Sequence, residues 1–142
     1  MRYLAIDLGD RRTGVACGDD ILRLPAPIEV IDASNREVLL ARIGKLVNEY
    51  GPDALVVGLP VNMDGTEGPR AKMARDFAQE CSTRFSIGFE MQDERLTSFA
   101  AEFSLNQSGR THAQKKKLRD ALAACEVLKD FFQRTANEPP RG

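Results

Sequence analysis

The chain has 142 residues, 42% of them hydrophobic and 29% charged, enough for one ordinary domain with its own core and unlike a disordered chain. Its 20 basic and 21 acidic side chains leave a net charge of −1, unlike the clearly basic balance usual in a generic electrostatic nucleic-acid binder, so such a partner would call for basic residues clustered on one face. No apolar run approaches the roughly 20 residues that span a bilayer, and Asp7 interrupts the first apolar run where a secretory leader would continue. The expected compartment is the cytoplasm, with no membrane partner.

Residues 2–8 and 13–18 read as two strands joined by a short turn. Residues 23–31, with Leu24, Ile28, Val30 and Ile31 among prolines, read as a third strand with an irregular start. Residues 36–50 carry apolar side chains at helical spacing and stop at Gly51-Pro52, with Ser34 or Asn35 as the cap. Residues 54–59, Ala-Leu-Val-Val-Gly-Leu, are a continuous apolar run typical of a strand covered on both faces. A loop from Pro60 to Gly68 leads to a helix over 69–84. Residues 86–92 alternate as a strand, a short helix lies near 98–107, and a longer one runs from about 115 to 134. A hairpin followed by strand–helix alternation predicts an α/β fold, a mixed sheet with helices on both faces. One domain is expected over residues 1–135, with a flexible tail at 136–142.

Cys17, Cys81 and Cys125 are odd in number, widely spaced and without a CxxC pair, so they read as free thiols. With His112 the sole histidine, a metal would have to be a hard cation held by carboxylates.

Three acids stand in unusual settings. Asp7 lies in the apolar run Tyr3-Leu4-Ala5-Ile6-Asp7-Leu8-Gly9, where a bare charge is costly unless a donor, a cation or a metal stabilises it. Alternation places it on the face of Tyr3 and Ala5. Glu94 follows a strand in Asp93-Glu94-Arg95-Leu96-Thr97, and carboxyl ends of strands in open α/β sheets are where ligands gather. Asp120 begins a helical stripe that continues through Ala124, Val127 and Phe131. Each acid has a plainer reading: Asp7 bonding turn amides, Asp93 or Thr97 capping a helix while Glu94 pairs with Arg95, and Asp120 solvated near a helix start. Meeting at one sheet end, three carboxylates would need cations among them, and Mg²⁺ or Mn²⁺ suits such oxygen ligands.

These motifs occur in the order Ile6-Asp7-Leu8-Gly9 with Thr13-Gly14-Val15-Ala16, then Val57-Gly58-Leu59-Pro60 with Asn62-Met63-Asp64-Gly65-Thr66, then Asp93-Glu94-Arg95-Leu96-Thr97, then Asp120-Ala121. Together, from residue 4 to about 132, they resemble the YqgF/RuvX family. The resemblance implies a ribonuclease-H-like fold and a nuclease that matures the 5′ end of pre-16S rRNA, with similarity to Holliday junction resolvases. It implies Asp7, Glu94 and Asp120 as metal-binding catalytic acids with Mg²⁺ or Mn²⁺ as cofactor. The implied partner is nucleic acid, pre-16S rRNA or branched DNA, met alone or in a pre-ribosomal particle by a monomer or homodimer. Ser98, Leu122 and Cys125-Glu126 depart from the family's usual small or aliphatic residues without touching the acids.

Substrate contacts are expected from the loop residues Asn62, Gly65 and Thr66, whose backbone amides suit phosphate oxygens unless the segment is a plain turn. Arg70 follows on the next helix, Arg11 and Arg12 lie beside Asp7, and Arg95 adjoins Glu94. The dense basic segment Arg110-Thr111-His112 and Lys115-Lys116-Lys117 reads as a flap over nucleic acid, or as a solvated charge run. A non-catalytic nucleic-acid-binding module and an actin-like ATPase are the remaining alternatives, the second being too large for this chain.

Overall fold

The structure, a computed structural model, describes residues 1–94 and 112–136, with residues 112–118 described as helix backbone only. The expected helix near 98–107, Arg95 and the tail after Ala136 lie outside the described residues.

Five strands form one sheet in the order β3-β2-β1-β4-β5: β1 (Arg2–Asp7), β2 (Arg12–Asp19), β3 (Ala26–Asp32), β4 (Ala54–Leu59) and β5 (Gly88–Asp93). The first three are antiparallel neighbours, whereas β1, β4 and β5 run parallel. Helix α1 (Arg36–Tyr50) leads from β3 to β4, α2 (Pro69–Phe85) from β4 to β5, and α3 (His112–Ala136) follows β5.

Strand alternation divides the core into two layers. Leu4, Ile6, Val15, Leu55 and Val57 pack with Leu40, Ile43 and Leu46 of α1 and with Ala74, Phe77 and Cys81 of α2. On the other face Tyr3, Ala5, Ala16 and Val56 meet Ala124, Val127, Leu128, Phe131 and Phe132 of α3. Helices therefore cover both faces, as the alternation of elements predicts. Burying each Leu, Ile or Phe contributes roughly 1.5–3 kcal/mol, so both layers hold the sheet firmly. The α3 face of the sheet is built from small residues. Gly14, Ala5, Ala16, Ala54 and Gly58 let the helix lie close, and Tyr3 anchors its far end edge-on to Phe131, with ring centroids 5.0 Å apart.

Element ends follow local chemistry. Asn35 caps α1, its side-chain oxygen accepting from the amides of Glu37 at 2.8 Å and Val38 at 3.3 Å. Gly51, at φ 57°, closes it by donating its N–H to the Val47 carbonyl. Two strands start later than the pattern predicts. Asp19 gathers the amides of Ile21 and Leu22 while Arg23 takes φ 56°, so a turn persists until β3 starts at Ala26. Ser86 takes φ 54° and the Ile87 amide bonds back to Ser82, which uses the residues before Gly88 to finish α2. Among the described residues no helix is long and apolar enough to cross a membrane.

Candidate active site

The polar end of the α3 face lies at the carboxyl ends of β1, β4 and β5. Asp7 is the last residue of β1, on the face of Tyr3 and Ala5. Glu94 directly follows β5, its amide donating to the Leu59 carbonyl at 3.2 Å, which ties it to the end of β4. Strands β1 and β5 are separated by β4, so the two acids start about two strand spacings apart. Gly58 closes that gap. A Cβ there would stand 2.3 Å from Glu94 Oε2, so the carboxylate lies in the space left by the missing side chain and crosses β4 to hydrogen-bond Asp7.

Burial shapes the ionisation of this pair. Loss of water raises Asp7 above the usual carboxylate range, against the hydrogen bond from Glu94 and the positive field of Arg70. Burial, then the charge of Asp7 and the shared hydrogen bond, push Glu94 up to about 9. Two carboxylates in contact cannot both ionise cheaply, so near neutral pH the metal-free pair holds a proton.

Asp120 comes close by another route. A Cβ on Gly14, the cross-strand partner of Asp7, would meet the Asp120 carbonyl oxygen at 1.9 Å, so α3 rests its backbone on β2 at this point. The Asp120 carboxylate, however, lies 3.6 Å from Arg12 Nε, with both side chains half-buried. Among the described residues no group of three His, Cys, Asp or Glu side chains is close enough to hold a metal together. Asp7 and Glu94 are therefore brought together, while Asp120 rests its backbone on Gly14 with its carboxylate 3.6 Å from Arg12.

Nearly the whole chain fits one known pattern. A family model described as RuvX, Holliday junction resolvase, matches residues 1–134. The chain belongs to the RuvX family. Curated relatives include proteins named "Putative pre-16S rRNA nuclease" from Dechloromonas aromatica, 42% identical over 92% of this chain and 89% of that one, and from Chloroflexus aurantiacus, 42% identical over 97% and 90%. Among solved structures, Thermus thermophilus RuvC in complex with a Holliday junction substrate is similar at a TM-score of 0.60 and 14% identity, covering 96% of each chain. Fowlpox virus resolvase with its Holliday junction DNA gives 0.60 and 11%, covering 95% of this chain and 99% of that one. At such identities these two show the fold, the ribonuclease-H-like sheet with helices on both faces.

In this RuvX chain the expected substrate residues are distributed unevenly. Arg70, in the first turn of α2, lies near enough to lower both Asp7 and Glu94, and its Nη2 is 3.8 Å from Asp10 Oδ2 while the side chain stays 65% exposed. Arg11 instead donates to Asp32 at 3.0 Å. In the loop after β4 the amides face inward: Asn62 N–H donates to the Thr66 carbonyl, Gly65 N–H to the Asn62 carbonyl, and Thr66 N–H to Asp64 Oδ1. The loop is a self-satisfied turn with Gly65 at φ 89°, and these three amides are not left for a phosphate. Lys115, Lys116 and Lys117 lie in the opening turns of α3, and Arg95 lies outside the described residues.

Three residues that shape the site carry little signal of their own. Gly58 and Gly14 act by lacking a side chain, and a glycine inside a strand is the cue for close approach. Arg12 opens β2 and pairs with Asp120 of α3, whereas Arg11, in the turn before it, pairs with Asp32.

Proposed function

We propose that this RuvX protein is a divalent-metal-dependent endonuclease that hydrolyses phosphodiester bonds in structured nucleic acid, processing the 5′ end of pre-16S rRNA in the cytoplasm. The observation that carries the reading is the half-buried, hydrogen-bonded Asp7–Glu94 pair at the carboxyl ends of the central strands. The names of the curated relatives support the substrate. The domain responsible is residues 1–135.

The donor set suits a hard cation. Two carboxylates that share a proton for want of a nearer cation present oxygen ligands to Mg²⁺ or Mn²⁺. Asp7 and Glu94 would hold the ion, with Asp120 as third acid. The ion would supply Lewis acidity toward a phosphoryl oxygen and a more acidic water.

The chain's own groups do the rest. Gly58 makes room for the Glu94 carboxylate, and Val127 closes its flank, since a Cβ on Gly58 would also sit 3.2 Å from Val127 Cγ2. This packing keeps bulk water from one side of the pair and strengthens its electrostatics. Arg70 offers an exposed guanidinium beside the acids, placed to take a phosphate oxygen of the substrate. Lys115 and Lys116 would hold the flanking backbone. Asn62, Gly65 and Thr66 would contribute as a rigid turn rather than as an amide cradle.

The family description favours one second reading, resolution of a four-way DNA junction, which would require the chain to act as a homodimer. The deciding experiment compares cleavage of a precursor 16S leader RNA with cleavage of a four-way DNA junction, each with Mg²⁺, with Mn²⁺ and with chelator. Metal-dependent cleavage of the leader RNA is expected. Cleavage of the junction alone would replace the rRNA reading by the resolvase one, and cleavage of neither would leave a binding module.

A further inference from the structure

Behind the acid pair, on the opposite face of the sheet, lies a cavity of about 130 Å³. About 10–15 Å³ of such space holds one water, so this cavity takes a ring-sized organic group. Its walls divide by chemistry. Leu8, Leu39, Met73 and Phe77 form an apolar slot, while Asp10 and Arg36 bring charge to it. The Arg36 guanidinium is fixed in the wall, 5.7 Å from the Phe77 ring centroid and 2.9 Å from Glu80 Oε1. Phe77 is buried, but Met73 is 53% exposed, a large apolar side chain left open to solvent on α2.

The cavity and the acid pair share one strand end. Asp7 and Leu8 are successive residues pointing to opposite faces, one into the acid pair and the other into the cavity wall. Between the two sites runs the Gly9 backbone, where a Cβ would stand 2.2 Å from the Arg12 carbonyl oxygen. The Arg12 carbonyl therefore packs directly on this ridge of main chain. Arg70 and Asp10, 3.8 Å apart, lie beside the same ridge, Arg70 acting on the acids and Asp10 lining the cavity.

We propose that this cavity is a nucleobase subsite, taking one unpaired base from the strand whose phosphate lies at Asp7 and Glu94. The inference rests on the nuclease reading above and adds a requirement for an unstacked base next to the cleaved bond. A base has the planar apolar faces that the slot of Met73, Leu39 and the fixed guanidinium would cover, and polar edges for Asp10. Unpaired bases are commonly bound by stacking on guanidinium planes and by hydrogen bonds to their edges. An apolar side chain of a protein partner would suit the slot but would make no use of the charged Asp10 and Arg36 in its wall.

The test measures binding of a short single-stranded RNA by fluorescence anisotropy in chelator, with an abasic nucleotide placed at each position in turn. One position is expected to matter, its abasic form binding about tenfold more weakly, the size of one lost stack. Met73→Glu should weaken binding of the intact RNA by a similar factor and abolish the difference between positions. Met73→Gln serves as the milder variant should Met73→Glu perturb folding by circular dichroism. Equal affinity for every abasic RNA, or unchanged binding by both variants, would overturn the subsite. If that happens while leader RNA or junction is still cleaved with metal, the nuclease reading stands without it. If the position dependence is present but neither substrate is cleaved, the subsite stands and the nuclease reading fails.

Discussion

The carboxylate of Glu94 occupies the space that a side chain at Gly58 would need, with Oε2 only 2.3 Å from where that Cβ would stand. Glu94 reaches Asp7 across β4 only because β4 is bare at this residue. Gly58→Ala should therefore displace Glu94 and break the acid pair. Cleavage is expected to fall at least tenfold, whereas stability should drop by only about 1–3 kcal/mol, the usual cost of overpacking. Parallel nuclease assays and urea denaturation check this. A Gly58→Ala protein with full activity would mean that Glu94 acts from another position.

The shared proton of the pair makes a prediction about pH. Burial raises both acids, Glu94 from its ordinary 4.5 up to about 9, so the folded protein keeps a proton that the unfolded chain has released. The native state then binds more protons than the unfolded state across that window. Stability should fall as pH rises from about 4.5 toward 9. Saturating Mg²⁺ should flatten the decline by replacing the proton, and Glu94→Gln should remove that part of it without metal. Urea midpoints along a pH series provide the measurement. The same slope in wild type and Glu94→Gln would show that the pair carries no extra proton.

Much of this arrangement can be read from residue order, and the remainder fails for definite reasons. Asp7 is visible because a charge in an apolar strand demands a partner, and α1 because Asn35 and Gly51 mark its ends. Strand β4 is visible because six consecutive apolar residues leave few other choices. The partner of the Asp120 carboxylate is not visible. Arg12 is remote in the chain, and its approach depends on α3 resting on Gly14. The loop at Asn62–Thr66 has the composition of a phosphate cradle and of a plain turn alike, and only the direction of its amides decides between them. The starts of β3 and β5 move because Arg23 and Ser86 take a left-handed conformation, for which neither residue type gives a cue.

Gly14 supplies a purely structural test. A methyl group there would sit 1.9 Å from the Asp120 carbonyl oxygen and 2.8 Å from its carbon, both backbone atoms that cannot turn aside. Helix α3 would have to lift from the sheet and loosen Ala124, Val127 and Leu128 from their layer. Gly14→Ala is expected to cost about 3 kcal/mol or more, above the usual range for a single substitution. Gly51→Ala, where φ is 57° and no atom lies within 4 Å, should cost only about 1 kcal/mol. Chemical denaturation of the two variants compares them directly, and equal losses would mean that α3 does not rest on β2 at this point.

The opening of α3 carries the charge that an almost neutral protein would need to hold a polyanion. Lys115, Lys116 and Lys117 stand in succession ahead of Asp120 on that helix. Replacing all three with Gln should weaken nucleic-acid binding and make its dependence on salt shallower, because fewer counterions are released. If two of the three contact phosphates, the slope of log K against log salt should shrink by about 1.4 for a single strand and about 1.8 for a duplex. An anisotropy titration over several salt concentrations gives that slope for the intact and substituted proteins. The Asp7–Glu94 pair is built from other elements, so the substituted protein should still cleave with metal at saturating substrate. A slope unchanged by the three substitutions would place the backbone contacts elsewhere, with Arg70 the first residue to test.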